Sequence, residues 1–420
     1  MVSVSPSSDF SPAAAATQPE VRVRDPRLDF FRGIAMFIIL VAHTPKNMWT
    51  SWIPARFGFS DATEIFVFSS GMASAIAFGS CYAKKGWLIG SARVMYRVWQ
   101  VYWAHIGLFF FVAMSLAFID TYGSFDKSYV NSLNLKHFFN DPMTNIVGLF
   151  TLTYVPNYFD ILPMYLVVLA LMPLFMALSR IGFWAVAAAS IALWIAANLS
   201  LLDLPAEPWS QRRWFFNPFG WQLLFFTGFA FMRGWIPAPP VSRTLLWVCI
   251  GFVVFSAPFG SWKVYLWVDA WNEDLGAFIR QFWLPPKDSF LASIKEWISL
   301  KDMRTKSEFA VLRYVHFLAL AYIAWMVVGP GGSRLVATGT GIGAQVWRVI
   351  LKLVTKVGQQ SLAVFVFSMA VARLIGFVLD QTGRTAGTAA IANLTGFALL
   401  IAVAYTVGWF KSQPWKTKRT

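Results

Sequence analysis

An arginine and a histidine stand at the two ends of one apolar stretch, residues 28–44, as Arg32 and His43. Their spacing of eleven residues is close to three turns of an α-helix, so both side chains lie on one helix face, about 16 Å apart along its axis. A neutral imidazole in a cavity can take a proton from a hydroxyl group, which is general-base chemistry. An arginine at a helix end can bind a phosphate or another anion. The alternative for this pair is an interfacial anchor and a structural histidine.

Asp61 and Glu64 open the next apolar stretch and are candidate catalytic partners for His43. Acids in the first turn of a helix complement the helix dipole, which explains both residues without any chemistry. An acid that lies beside the end of the preceding helix can instead orient an imidazole for catalysis. We therefore keep both acids as candidate catalytic residues.

His316 is a second histidine inside an apolar stretch, three residues after Arg313. This spacing places the two side chains on the same helix face. An ionisable residue at membrane depth indicates a functional site, so catalysis is one interpretation of His316. A hydrogen bond inside the helix bundle is the commoner one.

Arg93 and Arg97 are four residues apart and share a face at one end of the third apolar stretch. Together with Arg32 they predict a basic pocket for a phosphorylated ligand that enters from the cytoplasm. The alternative is ordinary anchoring of a membrane helix by cations at the cytoplasmic surface.

The composition is that of a membrane protein rather than a soluble domain. Hydrophobic residues make up 57% of the 420 residues and charged residues only 13%, with 40 Phe and 21 Trp. The formal net charge of +15 is scattered between apolar stretches, which argues against a nucleic-acid surface. Cys81 and Cys249 lie in or beside apolar stretches and predict neither a disulfide framework nor a metal site.

Apolar runs of membrane-spanning length predict an all-α, polytopic bundle of about ten transmembrane helices. The predicted spans are 31–51, 62–82, 98–119, 160–178, 182–202, 219–236, 243–262, 309–329, 358–380 and 386–410. An even number of spans puts both termini on one side, and the excess of Lys and Arg in alternate connections predicts that this side is the cytoplasm. We expect a disordered cytoplasmic leader at 1–27, a transmembrane domain at 28–410 with an exterior loop at 263–307, and a basic cytoplasmic tail at 411–420.

Several of these segments resemble the acyltransferase type 3 membrane enzymes. The segments that carry the resemblance are Leu28–Gly33 with His43, Glu64–Gly71, Arg97–Trp103 and Ser361–Ser368. The chain departs from the pattern of that family at Glu64, where the family has Asp, at Gln100, where it has Pro, and at Ser368, where it has His.

A fuller resemblance is to the OpgC branch, the osmoregulated periplasmic glucan succinyltransferases. It rests on Asn157–Tyr165, Asn217–Leu224 and His316–Tyr322 and extends from about Asp25 to Trp409. The resemblance implies a multi-pass enzyme of the bacterial inner membrane that moves an acyl group, succinyl in this branch, from cytoplasmic acyl-CoA to a hydroxyl of a periplasmic glucan. Acyl-CoA, the glucan acceptor and membrane lipid are then the expected partners, with no permanently bound cofactor, no metal and no nucleic acid.

The resemblance also implies roles for individual residues. His43 matches the catalytic histidine of the family, Arg32 the motif arginine near the donor, and Arg97 a cytoplasmic arginine that contacts CoA. Arg93 is offset from the second arginine of the family, and Ser368 leaves no second catalytic histidine at that position.

Other functions stay open at this point. A transporter or flippase for a glycan or a lipid-linked precursor predicts paired broken helices and related halves, and the sequence shows no such symmetry. An acyltransferase with an acetyl donor, or with a lipid or protein acceptor, fits the same residues. No motif identifies the group that binds a succinyl carboxylate; a spare arginine inside an apolar stretch, such as Arg313 or Arg373, is a candidate for that role.

Overall fold

The computed structural model describes residues 25–283 and 303–416. In these ranges the chain is helical and forms no β-strand beyond a single bridge between Pro205 and Arg213, which confirms the all-α fold. The helices in chain order are α1 (Pro26–His43), α2 (Ala62–Ser74), α3 (Ser80–Tyr122), α4 (Lys136–Asn140), α5 (Pro142–Thr151), α6 (Ile161–Ala170), α7 (Met172–Leu178), α8 (Phe183–Asn198), α9 (Pro218–Arg233), α10 (Arg243–Gly260), α11 (Trp262–Trp271), α12 (Glu273–Trp283), α13 (Val311–Val328), α14 (Ile342–Gln359), α15 (Ser361–Thr382) and α16 (Ala386–Ser412).

Helix α1 begins and ends where its local sequence dictates. The carboxylate of Asp25 accepts the backbone N–H of Arg27 at 2.9 Å, and Pro26 occupies the first turn, where its missing N–H costs nothing. At the other end Thr44 is extended, with a ψ of 115°, because it precedes Pro45. The predicted span 31–51 is therefore too long, and residues Met48–Trp52 form a separate 3-10 turn.

The second and third predicted spans lie in one helical run, Ala62–Tyr122. This run bends at Gly86, whose φ of 79° glycine adopts without steric cost. Tyr82 Oη and Ser91 Oγ lie 3.1 Å apart across the bend, although a straight helix would separate their backbones by about 13 Å. The chain therefore folds back here, and the two predicted spans lie on either side of Gly86.

Long apolar helices show that this is a membrane protein. The described residues include six helical stretches that are long and apolar enough to cross a membrane: Ala62–Tyr122, Ile161–Leu178, Arg243–Gly260, Val311–Val328, Ser361–Thr382 and Ala386–Ser412. The count of ten spans and the cytoplasmic placement of both termini stay predictions. Residues 1–24 of the predicted leader, residues 284–302 of the predicted exterior loop and residues 417–420 of the predicted tail lie outside the described residues.

Helix α1 packs against α2, α14, α15 and α16, and its contact with α14 is the tightest. A Cβ atom on Gly33 would lie 2.1 Å from the carbonyl oxygen of Val354, and one on Gly358 would lie 1.8 Å from the carbonyl oxygen of Asp29. The two backbones therefore meet directly, as small residues allow in membrane helix packing.

Replacing Gly358 by alanine tests this crossing. Because the added methyl group meets backbone rather than a flexible side chain, we expect Gly358→Ala to lower the free energy of unfolding by about 1–3 kcal/mol or more. Gly251→Ala in α10 is the matched control, since its Cβ has no heavy atom within 4 Å and alanine favours helix by less than about 1 kcal/mol. Melting temperatures in detergent measure both, and equal values for the two variants would contradict the proposed packing.

Candidate active site

His43 lies at the last residue of α1, where the helix stops at Thr44. Its Nδ1 lies 2.8 Å from the carbonyl oxygen of Ile39. Because a carbonyl oxygen only accepts, Nδ1 carries the hydrogen, and the lone pair of the neutral ring is on Nε2. The imidazole is half-buried, and its ring packs edge to face against Tyr158 at 5.4 Å between centroids. A general base at this position would therefore act through Nε2.

Asp61 and Glu64 form a capping box at the start of α2. The backbone N–H of Asp61 donates to Glu64 at 2.7 Å, and the Asp61 carboxylate accepts the N–H of Thr63 at 2.7 Å. Glu64 is fully buried and pairs with the Arg313 guanidinium at 2.5 Å, while Asp61 pairs with Lys306 Nζ at 2.6 Å. Burial opposes ionisation of Asp61, which precedes the membrane span, but the charges of Lys306 and Arg313 outweigh it and hold the pKa of this carboxyl well below its usual range.

These pairings change the interpretation of the two acids. In the described part of the chain neither Asp61 nor Glu64 hydrogen bonds to His43, because their oxygens are occupied by Arg313, Lys306 and backbone N–H groups. The Ile39 carbonyl supplies the hydrogen bond that orients the imidazole. Lys306, Arg373 and Asp61 all lie close enough to act on His43 through their charges.

His316 contacts a different part of the structure. Its Nδ1 lies 2.7 Å from Ser60 Oγ, and its ring lies between Phe59 and Phe252. A Cβ on Gly58 would lie 2.3 Å from Nε2, so the imidazole fills the space that this glycine leaves. These contacts are those of a packed histidine that holds residues 58–60 against α13, and they do not include His43.

A cavity of about 750 Å³ lies between α3, α15 and α16. Three cations, Arg32, Arg97 and Lys411, line it together with the side chains of Gln359 and Gln360. We call this set of five residues the mouth of the cavity. The remaining lining is mainly apolar: Ala104, Gly107, Leu108, Phe111, Leu362, Ala363, Val366, Phe367, Ala370, Val371, Leu374, Val403 and Val407, with Gln100 and Ser361.

Hydrogen bonds organise the mouth. Arg32 Nη2 donates to Ser361 Oγ at the start of α15, Arg97 donates to Gln100 at 3.0 Å, and Lys411 donates to Gln360 at 2.7 Å. The predicted donor-binding residues Arg32 and Arg97 thus line one cavity although they come from different helices. Arg93, one turn before Arg97, is exposed and is not part of the lining.

The cavity runs along α15 toward the level of His43. Ser361 lies beside Arg32, and Gly376 lies beside Pro45, where a Cβ would be 2.5 Å from the proline ring. Helix α15 therefore runs alongside α1 in the same direction. Its residues Val371 and Leu374 line the end of the cavity that is farther from the mouth, which we call the deep end.

Tyr158 contacts both His43 and Arg373, and the predicted site residues did not include either Tyr158 or Arg373. The Arg373 guanidinium carbon lies 4.0 Å from the centre of the Tyr158 ring, and Tyr158 Oη donates to the carbonyl of Met369. Tyr158 has a φ of 93°, a backbone conformation that a bulky residue rarely adopts. Such strain concentrates at functional sites. The only sequence signal was the position of Arg373 inside an apolar stretch.

Lys411 was also missing from the predicted site, because it was assigned to the tail that begins at residue 411. In the structure α16 continues to Ser412, so Lys411 follows Val403 and Val407 on one helix face. Ser368, the residue at the position where the acyltransferase family has histidine, is fully buried and donates to the carbonyl of Phe365 at 2.8 Å.

Removing Glu64 tests whether its role is structural. Glu64→Leu leaves the buried Arg313 without its closest partner, so we expect it to lower the free energy of unfolding by about 3–5 kcal/mol. Glu64→Leu combined with Arg313→Met removes both charges and should recover most of that loss. Melting temperatures in detergent measure both effects. If the double variant is no more stable than Glu64→Leu, Glu64 does not stabilise the fold through its pair with Arg313.

A family model, described as OpgC protein, matches residues 24–412 of the chain. This range includes α1 and all three helices that enclose the cavity. Comparison with curated proteins and with solved structures gives no match.

Proposed function

The chain belongs to the OpgC family, and from this membership and the geometry of the site we propose that it is a membrane-bound O-acyltransferase. It moves a succinyl group from succinyl-CoA on the cytoplasmic side to a hydroxyl of a glucan on the periplasmic side of the bacterial inner membrane. The observation that carries the proposal is one cavity with three cations at its mouth, which runs along α15 toward the level of His43.

The shape and charge of the cavity suit acyl-CoA. Arg32, Arg97 and Lys411 provide guanidinium and ammonium donors for the phosphate groups of CoA. The apolar walls suit the pantetheine arm, and a volume of about 750 Å³ lies within the range of ligand sites. Arg32 and His43 are about 16 Å apart along α1, so a bound donor with its phosphates at the mouth extends its thioester toward the histidine.

His43 then performs the proton transfer. Its Nε2 takes the proton of the acceptor hydroxyl, and the oxygen attacks the thioester carbonyl carbon. The carbon–sulfur bond breaks, CoA leaves as the thiolate, and the proton held by His43 passes to that thiolate or to water. The Ile39 carbonyl keeps the hydrogen on Nδ1 and so leaves Nε2 available as the base. Holding both reactants beside the base makes the reaction effectively unimolecular.

Mass spectrometry of periplasmic glucans tests the proposal. A strain that lacks the gene should lose a succinyl mass increment, and the wild-type chain should restore it. We expect His43→Gln to restore none, because it has no basic ring nitrogen. His137→Gln is the matched control. The His137 ring stacks on that of Trp209, with 4.5 Å between ring centroids, and this variant should restore the succinyl increment fully. If His43→Gln restores the succinyl increment, His43 is not the general base. An acetyl increment on the glucans would identify acetyl-CoA instead of succinyl-CoA as the donor.

Neutralising the mouth should weaken donor binding. We expect Arg32→Gln, Arg97→Gln and Lys411→Gln each to raise the Kd for succinyl-CoA roughly 10-fold to 100-fold, the effect of losing one hydrogen bond to a charged group. Thermal stabilisation by succinyl-CoA measures this affinity. Arg93→Gln is the control, because Arg93 lies on the same helix face one turn from Arg97 but outside the cavity. A loss in Arg93→Gln as large as that in Arg97→Gln would show general surface electrostatics instead of a defined site.

A further inference from the structure

We propose that Arg373, positioned by Tyr158, forms a carboxylate-binding subsite beside His43 and selects donors whose acyl group ends in a carboxylate. The inference rests on the proposed acyl transfer and names the group that distinguishes one acyl donor from another. It gives the chain a preference for dicarboxylic over monocarboxylic acyl groups.

Among the described residues Arg373 differs from Arg313 and Arg384 in having no acid beside it. Arg313 pairs with Glu64 at 2.5 Å, and Arg384 pairs with Asp380 at 2.6 Å. Across residues 25–283 and 303–416 no carboxylate lies within salt-bridge distance of Arg373. Its Nε is buried and has no hydrogen-bond acceptor.

A guanidinium inside a membrane helix without an anion is unfavourable, because little water is available to solvate the charge. The Tyr158 ring, 4.0 Å from the guanidinium carbon, compensates part of that cost through a cation–π contact. The ring face does not satisfy Nε, which is buried and has no acceptor, so that edge of the guanidinium fork remains available for an anion. A carboxylate matches that fork in shape and charge.

The position of Arg373 suits the acyl group of the donor rather than its phosphates. Arg373 lies in the same turn of α15 as Val371 and Leu374, which line the deep end, although Arg373 itself is not part of the lining. The three cations of the mouth are at the opposite end. The Tyr158 ring that contacts Arg373 also packs against His43, with 5.4 Å between the centroids of the two rings. The two carboxyl carbons of a succinyl group are about 4 Å apart, so a thioester carbonyl beside His43 can carry its free carboxylate to Arg373.

Tyr158 fixes this arrangement. Its hydroxyl donates to the Met369 carbonyl, one helical turn before Arg373, and its backbone is held at a φ of 93°. The ring therefore sits between α1 and α15, with the histidine and the arginine both in contact with it. Tyr158 acts here as a positioning residue, and Arg373 as the group that contacts substrate.

Donor selectivity tests the subsite. The purified full chain is assayed with a neutral glucan acceptor and two donors, succinyl-CoA and butyryl-CoA, whose acyl groups have the same number of carbons. We expect Arg373→Gln to lower kcat/KM for succinyl-CoA roughly 10-fold to 100-fold and to leave kcat/KM for butyryl-CoA unchanged or raised. Arg373→Lys keeps the charge but not the fork, so its loss should be smaller and again confined to succinyl-CoA.

Controls separate this subsite from donor binding and from folding. Arg97→Gln should lower kcat/KM for both donors by the same factor, because it contacts the part that they share. CoA alone should stabilise Arg373→Gln and the wild-type chain equally. If Arg373→Gln does not fold, the ratio of kcat/KM for succinyl-CoA to that for butyryl-CoA in Arg373→Lys decides instead. An equal loss with both donors would overturn the inference and assign Arg373 to the acceptor or to packing. A wild-type chain that transfers neither acyl group would contradict the proposed function itself.

Discussion

Direct contact between the backbones of α1 and α14 is the constraint on which the site depends. Gly33 and Gly358 leave no side chain between the two helices, so α1 is held against α14 at a fixed height and rotation. Arg32 is the neighbour of Gly33, and this places its guanidinium beside Ser361 at the mouth of the cavity. The remaining turns of α1 then determine how far away His43 lies, since a helix rises 1.5 Å per residue. One packing contact thus sets both ends of the site.

The charged residues of this bundle fall into three sets, and the side chains that neutralise or solvate the charge differ from one set to the next. The cations of the mouth, Arg97 and Lys411 among them, bond to neutral glutamine side chains and keep donors for phosphate. The buried pair of Glu64 and Arg313 is neutral as a unit and stabilises the fold. Arg373 contacts the Tyr158 ring and has no carboxylate partner among the described residues. The ion pair thus has a structural role here, whereas the cations with proposed binding roles bond to neutral side chains or contact an aromatic ring.

The sequence predicted the parts of the site that local geometry controls. Helix periodicity and the first-helix motif placed Arg32 and His43, and the proline after Thr44 determined where α1 ends. It could not predict which cation pairs with Glu64, because Arg313 is 249 residues away and the partnership depends on packing of α2 near α13. The sequence likewise could not predict that Lys411 lines the cavity, because this depends on how the helices pack. Tyr158 lies in an irregular segment whose backbone no periodic pattern describes. The structure gives His43 another orienting partner, the Ile39 carbonyl, while the two acids pair with Arg313 and Lys306.

The Glu64–Arg313 and Asp61–Lys306 pairs also limit how the protein can move. A slide of α13 along α2 by one helical turn, about 5.4 Å, would break the first pair and leave two buried charges facing apolar side chains. The start of α2, α13 and the segment before it therefore behave as a rigid frame. Helices α15 and α16 have no ion pair to that frame among the described residues, so packing and hydrogen bonds alone resist their displacement relative to it.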